Sequence, residues 1–148
     1  FSSGEAAEAC FVENLRYAAD AAAPRGRTIL IEPLNHHDAP GYFLNHTEKA
    51  RRIIEAVGAP NLKLMFDCYH IQILEGDLTR RIDANLDITG HIQFAGVPSR
   101  GRPDMGEVNY AHIFAHLAAR GYDAPLGAEY RPEAGDTDAS LGWMAALR

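Results

Sequence analysis

An α/β fold on a parallel sheet, wound in the manner of a (β/α)-barrel, is what this 148-residue sequence predicts. Three observations carry that expectation. Short β-rich runs alternate with segments of helical periodicity. Each run sets its large apolar residues on one face. Each also ends on a polar, oxygen-bearing residue that lies on the opposite face.

The elements follow in order. Glu5 to Ala22 is alanine-rich, with Phe11, Leu15, Ala18 and Ala19 at helical spacing, and "APRG" closes that helix. Arg27 to Ile31 is a short strand, followed by the loop "NHHDAPGYFLN". Thr47 to Val57 is a helix with Asn45 or Thr47 as its cap and Gly58 as its stop. Leu62 to Asp67 is the second strand, and Leu78 to Leu86 a helix with Asp77 or Thr79 near its start. Gly90 to Ala95 is the third strand, and "GVPSRGRPDMGEV" a long Gly/Pro loop. Tyr110 to Ala119 is a helix capped by Asn109 and ended by Gly121. Leu126 to Glu129 is the fourth strand, "RPEAGDTD" a loop, and Ala139 to Leu147 the last helix. The order is a helix followed by four βα units, with no internal linker.

Side chains alternate faces along a strand. Glu32 therefore lies opposite Ile29 and Ile31, and Asp67 opposite Leu62, Leu64 and Phe66. His91 and Gln93 lie opposite Ile92 and Phe94, and Glu129 opposite Leu126 and Ala128. In a doubly wound sheet both faces carry helices, and strands read as near-continuous apolar runs. One polar residue per strand, at corresponding ends and on one face, fits a barrel better, because inward residues at the carboxyl ends of barrel strands build the active site. A single acid at a strand end is usually a solvated loop residue or a helix cap; four in phase are harder to assign that way. Three carboxylates and an amide converging would repel one another without a cation among them. All-oxygen ligands suit Mg²⁺ or Mn²⁺. In "DCYH", Asp67 and His70 are three apart, so the strand must end near Cys68 if both serve one site. Cys68 reads as a small apolar packing residue. His36 and His37 read as loop surface.

Composition bounds the function. The net charge is −6 and the charges are dispersed, which argues against nucleic acid as the main partner. No apolar run approaches the roughly 20 residues of a membrane helix. No signal peptide is visible, and the chain opens on Phe1 rather than Met. Two cysteines, Cys10 and Cys68, make no disulfide framework, so a reducing cytoplasm is the expected compartment.

The stretches "IEPLNHHDAPGYFLN", "MFDCYHIQILEGD", "GHIQFAGVPSRGRPDMGEVNY" and "GAEYRP" together resemble the hydroxypyruvate isomerase family of the xylose isomerase-like TIM barrels. The resemblance spans Arg27 to Trp143. Barrels of this kind run to about 250 residues. The resemblance thus implies that residues 1–148 form a single partial barrel domain, the C-terminal half of a (β/α)8 barrel, with strands five to eight present and one to four absent. A half barrel has two unpaired edges and an uncovered inner face, which predicts instability or self-association into a homo-oligomer.

The resemblance further implies a divalent metal held by Glu32, Asp67, Gln93 and Glu129. Related sugar epimerases usually carry His where Gln93 stands, which favours the hydroxypyruvate isomerase branch. At His36 many members carry Arg. The implied reaction converts hydroxypyruvate to 2-hydroxy-3-oxopropanoate (tartronate semialdehyde). The metal would bind the carbonyl and hydroxyl oxygens of this small hydroxy-oxo acid and stabilise an enediolate. Glu32 and Glu129 are the expected acid/base pair. His70 is expected to hold substrate or relay a proton, and Glu107 to orient substrate. Arg102, Arg100 or Arg131 is the cation for the substrate carboxylate. Tyr42 and Phe43 would wall the pocket. Alternatives on the same barrel are a 2-oxo-tetronate isomerase, a ketose 3-epimerase, an inosose-type dehydratase and a metal nuclease, the last disfavoured by the net charge. A non-catalytic half-barrel fragment is the alternative of another class.

Overall fold

The computed structural model describes residues 4–145. Helix α1 (Gly4–Ala22) leads to strand β1 (Ile29–Ile31), helix α2 (Thr47–Val57) and strand β2 (Leu62–Asp67). Helices α3 (Cys68–Leu74) and α4 (Leu78–Asn85) precede strand β3 (Thr89–Phe94). Helix α5 (Tyr110–Ala119), strand β4 (Leu126–Ala128) and the short helix α6 (Thr137–Ser140) complete the order. A 3-10 turn, Leu141–Ala145, follows α6 directly.

The four strands form one parallel sheet in the order β1-β2-β3-β4. Chain order and spatial order coincide. A doubly wound sheet reverses direction at a switch point; this one winds a single way, as a barrel does. The expected half of a (β/α)-barrel is therefore what the described residues form.

The helices cover one face. Ile31, Leu62, Leu64, Phe66, Ile92 and Phe94 are buried beneath them with Val12, Leu15, Ile53, Ile54, Ile82, Ile113 and Leu117. Leu30, Lys63, Met65, His91 and Gln93 point the other way and are only half-buried. This alternation of buried and half-buried residues is the period-two pattern of a sheet packed on one side. Register slips at Leu64/Met65, where β2 meets β3. Gly90 makes that slip possible, since a Cβ there would sit 2.7 Å from the Lys63 Cβ and 2.8 Å from the Leu30 Cδ2.

Four local differences from the sequence expectation have physical causes. Helix α3 was not expected; it begins on the residue after β2, with Asp67 as its N-cap (Oδ1 accepts from the Tyr69 N–H, 2.9 Å). Helix α2 is capped neither by Asn45 nor by Thr47 acting alone. Its N-cap is His46 without a side-chain bond, and Glu75 reaches across to accept from the Thr47 N–H (2.7 Å) and Oγ1 (2.9 Å). Strand β4 stops at Ala128, so Glu129 lies just past it, its N–H still donating to the Phe94 carbonyl (3.1 Å). The last helix is not one run from Ala139. Asp136 caps α6 by accepting from the Ala139 N–H (3.0 Å), the 3-10 turn continues it, and Leu147 lies outside the described residues. That terminal segment is pinned by Trp143, which packs edge-on against Phe94 and donates to the Tyr130 hydroxyl (3.2 Å). Asn109 caps α5 as expected, accepting from the His112 N–H (3.1 Å).

Candidate active site and metal centre

Glu32 follows β1 directly, and Pro33 ends the ladder there, having no N–H to donate. Asp67 ends β2, and its ladder partner on β3 is Gln93. Gly127 pairs with Gln93 in turn, which places Glu129 two residues further along the same face. The chain then turns into α3, and one helical turn brings His70 back beside Asp67. The spacing that seemed to separate Asp67 from His70 is thereby resolved.

Glu32, Asp67 and His70 form one cluster whose ligand-capable atoms all lie within 4.8 Å of one another. His70 Nε2 is 3.8 Å from Glu32 Oε1 and 3.7 Å from Asp67 Oδ2, too far for hydrogen bonds. All three atoms are buried and have no hydrogen-bond partner among the described residues. Asp67 and His70 are each only 1 % exposed.

Glu129 joins through Arg100. The guanidinium lies 2.6 Å from Glu129 Oε2, 3.8 Å from Asp67 Oδ2 and 3.7 Å from Asp38 Oδ2, and it sits over the Tyr69 ring. Arg100 adopts φ 54°, a left-handed conformation uncommon for a side-chain-bearing residue. The loop around it is drawn tight. Gly96 N–H donates to the Gly101 carbonyl, Glu107 N–H to Val97, and Arg131 N–H to the Arg100 carbonyl itself (2.7 Å). At Gly106 (φ 103°) a Cβ would meet the Val97 carbonyl oxygen at 2.2 Å, so only glycine lets the loop fold back this closely.

Burial shapes the charges. It pushes the Glu32 carboxyl up to about 7, helped by repulsion from Asp67 and Glu129. It raises Asp67 to about 6, against the Tyr69 N–H and the Arg100 charge. It lowers His70 to about 4, with Arg100 acting in the same direction.

The other expected residues are placed elsewhere. Arg102 is held by Asp104 in a two-point pair (3.0 and 2.5 Å). Glu107 accepts from Gln72 Nε2 (3.2 Å) at an exposed position. Arg131 contributes its backbone N–H to the Arg100 turn. Phe43 packs against Phe11 and under the Lys49 ammonium, and Tyr42 is exposed. His36 and His37 are exposed and lie against each other. Cys68 is fully buried, as expected for a packing residue.

Asn35 and Asp38 were missed, the latter facing Arg100. Asn35 is completely buried and touches His70 with both its backbone and its side chain. Its signal was the Asn in "NHHD", a residue whose side chain commonly closes a turn on the backbone two residues on.

The donor set fits a divalent cation. Two buried carboxylates offer unpartnered oxygens, and Asp67, Glu129 and Asp38 face a single guanidinium whose charge also acts on Glu32. Burial is what chiefly raises Glu32, and the nearby charges of Asp67 and Glu129 add to it.

A sheet wound one way, with acids and a guanidinium gathered at the strand ends, is the arrangement of the carboxyl-end site of a (β/α)-barrel. The chain belongs to the xylose isomerase-like TIM barrel family, whose model matches residues 2–147. Among its relatives, the 2-oxo-tetronate isomerase of Cupriavidus necator is 52% identical over 136 residues, covering 92% of this chain and 52% of that protein. The hydroxypyruvate isomerase of Escherichia coli is 42% identical over 146 residues, covering 99% and 56%. A crystal structure from Brucella melitensis, named AP endonuclease, family 2, superposes with a TM-score of 0.93 at 44% identity, covering 99% of this chain and 56% of that one. The chain thus spans about half the length of the relatives it matches. Among the described residues no helix is long and apolar enough to cross a membrane.

Proposed function

We propose that residues 1–148 are a single partial barrel domain corresponding to strands five to eight, and that it carries the reacting end of an isomerase for a short 2-oxo-3-hydroxy acid. The favoured substrate pair is hydroxypyruvate and 2-hydroxy-3-oxopropanoate. The observation that supports this most is the trio of buried, unpartnered atoms on Glu32, Asp67 and His70 beside a guanidinium. It offers unpartnered polar atoms for vicinal oxygens or the ion that binds them, and a cation for a carboxylate.

Glu32, Asp67, Gln93 and Glu129 would hold Mg²⁺ or Mn²⁺. When bound, such an ion polarises the carbonyl and hydroxyl oxygens and makes the neighbouring C–H more acidic. Glu32 and Glu129 exchange the protons. One takes the proton from C3, and the other gives one to C2. The C3 hydroxyl proton passes to the oxygen on C2 in the same rearrangement, so atoms and charge balance. A carboxyl titrating at about 7 is well matched to this task near neutral pH. Of the three candidate arginines, Arg100 is the one directed at the acids, and we assign it the substrate carboxylate.

The 52% identity to a 2-oxo-tetronate isomerase favours a four-carbon substrate as the second reading. The proton movements are the same. The net charge of −6 speaks against a nucleic-acid substrate, and the free thiols of Cys10 and Cys68 suit a reducing cytoplasm.

The test compares hydroxypyruvate, 2-oxo-tetronate and free ketoses as substrates with added Mn²⁺. Glu32→Gln and Glu129→Gln are each expected to lower turnover at least about 100-fold, the scale of lost acid–base catalysis. Near-normal turnover in either variant, with Mn²⁺ still bound, would overturn the mechanism.

A further inference from the structure

The orientation of Asn35 is fixed by its neighbours. Its Oδ1 accepts from the backbone N–H of His37 (3.0 Å) and of Asp38 (3.0 Å), groups that can only donate. Oδ1 is therefore the oxygen, and the amide NH2 faces His70 Nδ1 (2.8 Å) and Asp38 Oδ2 (3.2 Å). The Asn35 backbone N–H points at the same ring nitrogen (3.1 Å).

His70 Nδ1 thus meets two donors and must offer its lone pair. A neutral imidazole then carries its proton on Nε2. That nitrogen is the one buried between Glu32 and Asp67 without a partner. The ring is also braced edge-on by Tyr69 (centroids 5.1 Å apart).

We propose that Asn35 is a positioning residue that locks His70 in its Nε2–H form, making His70 a fixed hydrogen-bond donor to a substrate oxygen and excluding it as a metal ligand or base. A metal would need the Nε2 lone pair, and the proton would then have to move to Nδ1, against two donors. A donor held in advance at this place stabilises negative charge growing on the reacting oxygen. The loop after β1 thereby sets the chemistry of a side chain on α3. Only the nature of that oxygen rests on the isomerase reading; the tautomer does not.

The experiment is nitrogen-15 NMR of the histidine rings in the 148-residue chain, with His70 assigned by its loss in His70→Gln. At neutral pH the expected pattern is a proton on Nε2 and a hydrogen-bonded, unprotonated Nδ1, unchanged by Mg²⁺. In Asn35→Asp a carboxylate faces Nδ1 in place of the NH2, and the ring is expected to carry a proton on Nδ1. Turnover in that variant is expected to fall about 100-fold, the cost of a lost oxyanion donor, with KM little changed. A wild-type ring protonated on Nδ1, averaging between tautomers, or losing its Nε2 proton to Mg²⁺ overturns the proposal. The wild-type spectrum decides even if Asn35→Asp fails to fold. The expected spectrum without turnover of any tested acid supports the lock and counts against the substrate reading alone.

Discussion

Glu32 is set apart by one property, its raised pKa. The linkage sign is definite. A carboxyl whose folded pKa lies near 7, above its ordinary 4.5, holds its proton more tightly in the folded state. Its stabilising contribution is complete below about pH 4.5 and is lost as pH rises through 7. Without metal, wild type is therefore expected to lose stability relative to Glu32→Gln between those limits, by roughly 2–3 kcal/mol. Urea midpoints measured in EDTA across that range check it. Saturating Mn²⁺ is expected to reverse the slope, because a cation requires the ionised carboxylate. The charge of Glu32 was legible in the sequence from strand phase alone. The choice of Arg100 over Arg102 and Arg131 was not, because it depends on a left-handed turn and on Asp104 occupying Arg102.

At the scale of elements, most strands and helices followed from periodicity, and the exceptions share a cause. Helix α3 is seven residues long and largely apolar, too short for its period to separate it from a strand. Its one start signal, Asp67, also stands at a strand end, where strand phase points to a ligand; the structure shows it as the cap, with its second oxygen facing the cluster. The cap of α2 was invisible for another reason. Glu75 lies 28 residues from Thr47, and only the fold, which sets the end of α3 beside the start of α2, brings it there. Its side chain is 4 % exposed, and Arg81 at 3.2 Å neutralises it. Glu75→Ala removes two charge-assisted bonds and leaves Arg81 without its partner. It is expected to destabilise the chain by about 2–4 kcal/mol, read as a lower urea midpoint at unchanged slope. A change below about 0.5 kcal/mol would show that water replaces the cap without loss.

For the whole molecule, the uneven burial of the sheet is decisive. The helix-covered face is closed, while Leu30, Lys63, Met65, His91 and Gln93 on the other face are only half-buried. Strands β1 and β4 each present an unpaired edge within the described sheet. The 148-residue chain alone is therefore expected to self-associate, with a sedimentation coefficient that rises with concentration. A concentration-independent monomer would show that the open face and edges are tolerated in water. The barrel winding was legible because four polar strand ends were in phase. The openness of the inner face was legible only as an inference from length.

Asp67 divides one carboxylate between two employers. Oδ1 accepts from the Tyr69 N–H and starts α3, while Oδ2 faces the cluster. The two oxygens therefore carry separable duties, the cap on Oδ1 and the proposed cation on Oδ2. Asp67→Asn keeps an oxygen for the cap and is expected to lose Mn²⁺ binding while nearly preserving metal-free stability. Asp67→Ala loses both and is expected to fall below it by about 1 kcal/mol, the usual worth of an N-cap. Only a side chain that keeps the Oδ1 acceptor is thus expected to lose the proposed cation without a folding signature, so calorimetry of the two variants separates the cap from the cluster before any substrate is found.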